Sequence, residues 1–346
     1  MRKFLTATVI GACAFTVSAP AACACGGLVA PNGAVRLLRT TTLAAYHDGI
    51  EHYLTSFQFE GGGARFGSII PLPGVPTSVS KGGSWTLQRL EREVNPPIDH
   101  GFGIAASATA GRAATVILQT TVDALDITVL KGDGPAVVSW IRAHGFAVSP
   151  DAPAVLDFYA RRSPVFLTAT YDQAAAQTRG LGLGDGTPVQ LTIPTANPWV
   201  PLRILALGKD PDDVVQADVF LLTDNVPKVL TGSGVDLAQS EPATGGLLDD
   251  LRSDQRMGWV PTSSWLTYFK VRSPSSQLRY DMAIDASGGG QPSPVAAGLV
   301  AGSPASQLLP ASADLSAWDW TGISLLLVGT LFVLGMVLRR ERALSF

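Results

Sequence analysis

The sequence predicts an α+β fold, with mostly antiparallel or mixed β-sheets, a few short helices and one C-terminal transmembrane helix. Three observations lead there. Strand-like runs rich in β-branched residues outnumber helical ones. The helical runs are scattered among them, without the strict alternation of a parallel βαβ sheet. Near the end, Trp320 to Leu338 is an uncharged run of 19 residues, about 28 Å long as a helix and close to the hydrocarbon thickness of a bilayer.

The two ends frame the rest. Arg2 and Lys3, an apolar run from Phe4 to Ala19 and then small residues give the order of a secretory signal peptide over 1–24, with Ala19-Pro20-Ala21 and Ala22-Cys23-Ala24 both fitting a cleavage site. At the other end the span is placed at 318–338. Trp318 and Trp320 stand at its outer edge, and Arg339, Arg340 and Arg342 lie in a short tail, 339–346, whose charge marks the cytoplasmic side. A removed leader and a stop-transfer helix predict a type I, single-pass membrane protein with its bulk outside the cytoplasm. Between 287 and 317 Gly, Ser, Pro and Ala dominate without apolar periodicity, which predicts a linker. The folded domain is then expected over 25–286, long enough to build its own core.

Within it, the run from Ala34 to Tyr46 and the run IEHYLTSFQFE from Ile50 flank Asp48-Gly49, a strong short hairpin signal. FGSIIPLPG (66–74) reads as a buried strand stopped by Pro71 and Pro73. Ser84 is expected to cap a helix over WTLQRLEREV that ends at Asn95-Pro96-Pro97. TVILQT (115–120) and LDITVLKG (125–132) read as strands. Pro135 then starts a helix closed by Gly145, and 150–162 predicts another short helix. Strands follow at 165–171, 189–193, 201–207 and 217–223, with Pro201 suited to a strand start. A Gly- and Asp-rich gap, 231–258, holds a candidate helix at 247–257, and WLTYFKV (265–271) and LRYDMAI (278–284) complete the strands.

Charge and cysteine content exclude some classes of function. Of 25 basic and 28 acidic residues, five and two lie in the two end segments, leaving 20 and 26 and a net charge of −6 outside. With no basic stripe, nucleic acid is excluded as a partner. Cys13 leaves with the leader, so at most Cys23 and Cys25 remain, Cys23 only if cleavage follows Ala21, and the pair is too close together to staple distant parts.

Candidate chemistry is sparse. If Asp48-Gly49 is a two-residue turn, residue 47 pairs with 50 and residue 45 with 52, so His47 and His52 share one face diagonally and could hold one metal, with Glu51 nearby. The competing reading is a polar hairpin tip. Cys25 has Ala22 where a lipobox carries an aliphatic residue. RGLGLGDGTP (179–188) is glycine-rich but lacks the lysine and following helix of a phosphate loop. His144 ends a helix, where a cation complements the dipole. The acidic pairs Asp249-Asp250 and Asp281/Asp285 suit many surfaces, and no G-x-S-x-G elbow is present. Leu309-Pro310-Ala311-Ser312-Ala313 lacks the Thr and Gly of a sortase signal.

The order of features nevertheless resembles a known family. CGGLVAPNG at the mature start, the hairpin, IIPLPG and a helix come first. LDITVLKGDGPAVVSWIRAHGFAV, with its W-x-x-x-x-G-[FY] helix, follows, and then FLTATY and WVPLRILALG. Together, from Cys25 to Asp285, these resemble the bacterial exported family known as domain of unknown function 2330. The resemblance implies a location and a domain extent, and no activity or cofactor.

The expectation is therefore a membrane-anchored module for binding or assembly at the cell envelope, with an envelope protein or polymer as partner and no cofactor. The alternative is an extracytoplasmic metal-dependent hydrolase centred on His47 and His52.

Overall fold

The computed structural model describes residues 27–29, 35–61, 65–95, 115–123, 125–172, 178 and 187–301. The expected signal peptide, Cys23, Cys25, His100, most of the glycine-rich run, and the span 318–338 with its flanking Trp318, Trp320, Arg339, Arg340 and Arg342 lie outside the described residues. Among the described residues no helix is long and apolar enough to cross a membrane. All of them belong to one compact unit, 1–302.

In chain order the first half comprises β1 (Gly27–Val29), β2 (Val35–His47), β3 (Ile50–Gly61), β4 (Arg65–Pro71), β5 (Ser78–Lys81), α1 (Ser84–Val94), β6 (Thr115–Val122), β7 (Leu125–Lys131), α2 (Gly134–Ala143) and α3 (Ala152–Ala160). The second comprises β8 (Val165–Asp172), β9 (Val189–Pro194), β10 (Trp199–Val200), a 3₁₀ turn (Arg203–Ala206), β11 (Val214–Thr223), β12 (Lys228–Leu230), β13 (Val235–Pro242), α4 (Gly245–Ser253), β14 (Trp265–Pro274), a 3₁₀ turn (Ser275–Gln277) and β15 (Met282–Asp285). The strands form a seven-stranded sheet in the order β13-β14-β11-β2-β3-β9-β5, a five-stranded sheet β1-β4-β8-β7-β6 and a three-stranded sheet β10-β15-β12. Among the described pairings only β11 with β2 is parallel, so the α+β class with mostly antiparallel sheets holds.

The long β2–β3 hairpin lies inside the seven-stranded sheet, and its alternation creates two cores. Ala44, Tyr53 and Phe57 face a large core shared with the five-stranded sheet, α2 and α3. Leu43, Ala45 and Leu54 face the other way and pack with Phe220, Leu222 and Tyr268 under α1 and α4, through Leu87, Leu90, Leu247, Leu248 and Leu251. β11 is covered on both faces, which explains its near-continuous apolar run.

Several expectations are corrected. The run 201–207 is not a strand: Arg203–Ala206 is a 3₁₀ turn, because the backbone N–H groups of Leu202 and Arg203 donate to Asp281 and that of Ile204 donates to the Tyr159 hydroxyl. With its donors bonded to side chains, the segment has no need of a sheet partner. Ser84 is the first helical residue of α1, not its cap. Gly83 occupies the cap position, and the accepting oxygen comes from Asp254, which takes both the backbone N–H and the hydroxyl of Thr86 at 2.7 Å. A Cβ on Gly83 would come within 2.0 Å of that carboxylate, so the borrowed cap requires glycine. By contrast Asp133 caps α2 from its own chain position, accepting from Ala136 N–H. The gap 231–258 holds β13 as well as α4, and the strand expected over 278–284 begins only at Met282.

The segment 287–301, expected within the linker, folds back on the domain. Lys228 donates to the Gly290 carbonyl, Asp281 N–H donates to the Ala297 carbonyl, and Val295, Ala296 and Ala297 are buried. Small residues that read as linker are what a close-packed crossing needs. Gly298 sits at φ +77°, and a Cβ there would come within 2.2 Å of the Phe158 ring.

Candidate functional site

The hairpin tip forms as its sequence dictates. Asp48 (φ 49°) and Gly49 (φ 78°) are both left-handed, the signature of a type I′ turn. His47 pairs with Ile50 and Ala45 with His52, so the two histidines share the face that carries α1 and α4. Their surroundings differ. The His52 ring stacks on Trp259 with centroids 3.7 Å apart and planes 3° from parallel. Burial and the neighbouring His47 push its pKa down to about 4. His47 is half-exposed and lies between two carboxylates, with Nδ1 2.7 Å from Asp224 Oδ1 and Nε2 3.4 Å from Asp48 Oδ2.

Glu51 points the other way, into the large core. It is fully buried, neither carboxylate oxygen has a hydrogen-bond partner among the described residues, and burial raises its carboxyl pKa to about 8, with the nearby Trp199 backbone acting in the opposite sense. A site combining His47, His52 and Glu51 is therefore ruled out by strand alternation: Glu51 and His52 are successive residues on opposite faces of one sheet.

The other sequence candidates have structural partners. His144 Nδ1 lies 2.6 Å from the Trp140 carbonyl, and its ring stacks on that indole. Asp249 pairs with Arg252, Asp250 with Arg89, and Asp285 accepts from Ser287. Ser78-Val79-Ser80-Lys81 carries the S-x-x-K spacing of some serine hydrolases, but it lies on β5, where positions three apart face opposite sides. There Lys81 pairs with Asp123 and Ser78 donates to the Thr192 hydroxyl.

The strongest buried electrostatic feature was not legible in the sequence. Asp281, fully buried, accepts from Leu202 N–H (2.7 Å), Arg203 N–H (2.9 Å), the Tyr159 hydroxyl (2.8 Å) and Arg162. Arg162 also donates to the Ala296 carbonyl, and its guanidinium lies over Phe158, Tyr159 and Trp199 at 4.4, 4.9 and 4.7 Å. Burial and the Asp281 carboxylate raise the Tyr159 pKa well above the usual phenol value. This network ties α3, the 201–206 turn, β15 and the 293–298 segment together. A second cluster is also matched internally: Arg39 forks onto Asp218 (2.6 and 2.5 Å), which accepts from Tyr268 (2.5 Å).

On the outer side of that network lie two open concavities of about 670 and 740 Å³ that share Ser276, Arg279, Tyr280 and Leu299. Arg203, Lys209 and Arg279 line the first, above Val155, Phe158 and Leu278, and Thr231 and Ser233 line the second. Arg203 rests on the Phe158 ring at 4.0 Å. Among the described residues none of these three cations makes an ion pair. The one lining carboxylate, Asp151, accepts from Gly208 N–H. Tyr280, Leu299 and Val300 are exposed apolar side chains at or beside the same groove. Cations, hydroxyls and an exposed aromatic ring can hold a chain of anionic groups.

No curated protein matches the chain in sequence. Among solved structures, baculovirus P35 is similar, at 9% identity and a TM-score of 0.39 over 75% of this chain and 99% of that one. A likeness at that score carries no argument about function. The family model described as an uncharacterised protein conserved in bacteria, DUF2330, matches residues 19–225. It includes the central hairpin, α1 to α3 and β11, and stops before Arg279 and Tyr280, short of the Asp285 to which the resemblance extended. The match covers more than half of the chain, and the chain belongs to the DUF2330 family.

Proposed function

We propose that this chain is a single-pass, membrane-anchored binding module of the bacterial cell envelope, and that its groove takes an anionic polymer through phosphate or carboxylate groups. One observation carries the reading: Arg203, Lys209 and Arg279 line one concavity, and none forms an ion pair among the described residues. The sequence outside the expected membrane-linked ends has a net charge of −6, so a basic concavity runs against the overall balance. An open groove with an aromatic side chain suits a polymer segment better than an enclosed small molecule. The groove is lined in part by Gly298 and Leu299, close to the point where the sequence leads into the remaining linker and the expected span. The hydrolase alternative receives less support, since Glu51 faces away from His47 and His52.

Two experiments test the reading. A reporter fused after Phe346 should be active only where the C-terminus is cytoplasmic; activity from the outside would reverse the orientation. The purified full chain should retain labelled polyphosphate or polygalacturonate, with affinity falling as salt is raised because exposed charges are screened over about 10 Å at 0.1 M. Retention of neither polymer would remove the proposed ligand class.

A further inference from the structure

Outside the groove, the hairpin tip brings together a set of metal-ligating side chains that no strand alone could assemble. We infer that His47, Asp48 and Asp224 form a divalent-cation site of the zinc or manganese class, at the turn between β2 and β3. One ligand atom from each lies within 4.8 Å of the other two, a spread that side-chain rotation can close around one ion.

The assembly follows from register. β11 runs parallel to β2 with Thr223 opposite Tyr46, so the next residue, Asp224, arrives beside His47 from another part of the chain. Asp48, in the left-handed turn it shares with Gly49, has a carboxylate oxygen 3.4 Å from Nε2 of the same ring. With a neutral imidazole the cluster carries two negative charges, and among the described residues no lysine or arginine pairs with Asp48 or Asp224. An imidazole nitrogen together with two carboxylate oxygens suits a borderline first-row ion. The all-oxygen shells preferred by calcium are a poorer match. Only one ring nitrogen can bind the ion, and solvent completes the shell at this half-exposed position. His52, whose ring stacks on Trp259, is not one of the three grouped ligands. The site is independent of the groove.

The test is calorimetric titration of Zn²⁺, Mn²⁺ and Ca²⁺ into the chelator-stripped full chain, with His47→Ala, Asp224→Asn and His52→Ala alongside. The expected result is saturable one-to-one binding of Zn²⁺ or Mn²⁺, at least tenfold weaker in His47→Ala and in Asp224→Asn, with Ca²⁺ weaker still. His52→Ala should retain it. A rise in Tm on adding Zn²⁺, lost in the near-isosteric Asp224→Asn, confirms that the ion binds the folded form. No saturable uptake by the wild type, uptake unchanged in both ligand variants, or uptake lost only in His52→Ala would overturn the assignment.

Discussion

Two arginines rest on the same ring and differ in nearly everything else. Arg162 and Arg203 lie 4.4 and 4.0 Å from the Phe158 centroid. Arg162 is buried and bonded to Asp281 and the Ala296 carbonyl, so its charge is matched within the protein. Arg203 contributes its backbone to the same Asp281, while its side chain lines an open groove with no ion pair among the described residues. The inner charge holds segments together, and the outer one lines the groove for which we propose a ligand. That contrast separates a charge with an architectural role from one that the proposed function would use.

The contrast can be broken at several points. The largest effect is expected from Arg162→Ala, which leaves the Asp281 carboxylate buried without its cation and should cost about 3–5 kcal/mol of stability. Arg203→Ala should cost no more than about 1 kcal/mol, the value of a partly exposed cation–π contact, while weakening polymer binding. Denaturant unfolding of the two variants checks this; equal losses would erase the distinction.

Next in size is the pH response of the hairpin. Glu51 has its folded pKa raised from 4.5 to about 8, so the folded state retains a proton that the unfolded state releases between those values. Stability from this group is present below the unfolded pKa and lost as pH rises towards 8, with a slope approaching about 1.4 kcal/mol per pH unit. His52, lowered from 6.5 to about 4, acts in the opposite sense: its contribution is present above 6.5 and lost as pH falls towards 4. The two offset each other below 6.5, leaving the Glu51 slope between 6.5 and 8. Glu51→Gln should flatten that window, and an unchanged slope would show that another group titrates there.

A smaller effect, about 0.5–2 kcal/mol, is expected from Asp254→Ala, which removes the borrowed cap of α1. Thermal unfolding measures it, and a Tm unchanged from wild type would mean that solvent caps the helix equally well.

Much of the fold was legible because it is written locally. Asp48-Gly49 specified the turn and so the pairing of the hairpin from His47–Ile50 as far as Arg39–Gln58, where a bulge shifts the register, including the shared face of His47 and His52. Pro135 and Gly145 marked the ends of α2 in the same way. What escaped the sequence depends on partners distant along the chain. Asp281 turns an expected strand into a 3₁₀ turn from 78 and 79 residues away. Asp254 caps a helix from 168 residues away. The small residues of 293–298 read as linker because their value is the closeness of their packing against Phe158 and Arg162, which composition does not encode. The groove was hidden for the same reason, since Arg203, Lys209 and Arg279 converge only after the 3₁₀ turns form. Asp224 joins His47 through a parallel pairing that no local pattern announces.

The most direct test of the central claim is titration of labelled polyphosphate and polygalacturonate against the full chain and its Lys209→Ala/Arg279→Ala variant. Both side chains line the groove, and neither takes part in the Arg162–Asp281 network. The variant is expected to unfold within about 0.5 kcal/mol of wild type, as surface substitutions usually do, and to lose at least tenfold in affinity for whichever polymer the wild type binds. Wild-type affinity retained in the variant, or no binding of either polymer by the wild type, would contradict it.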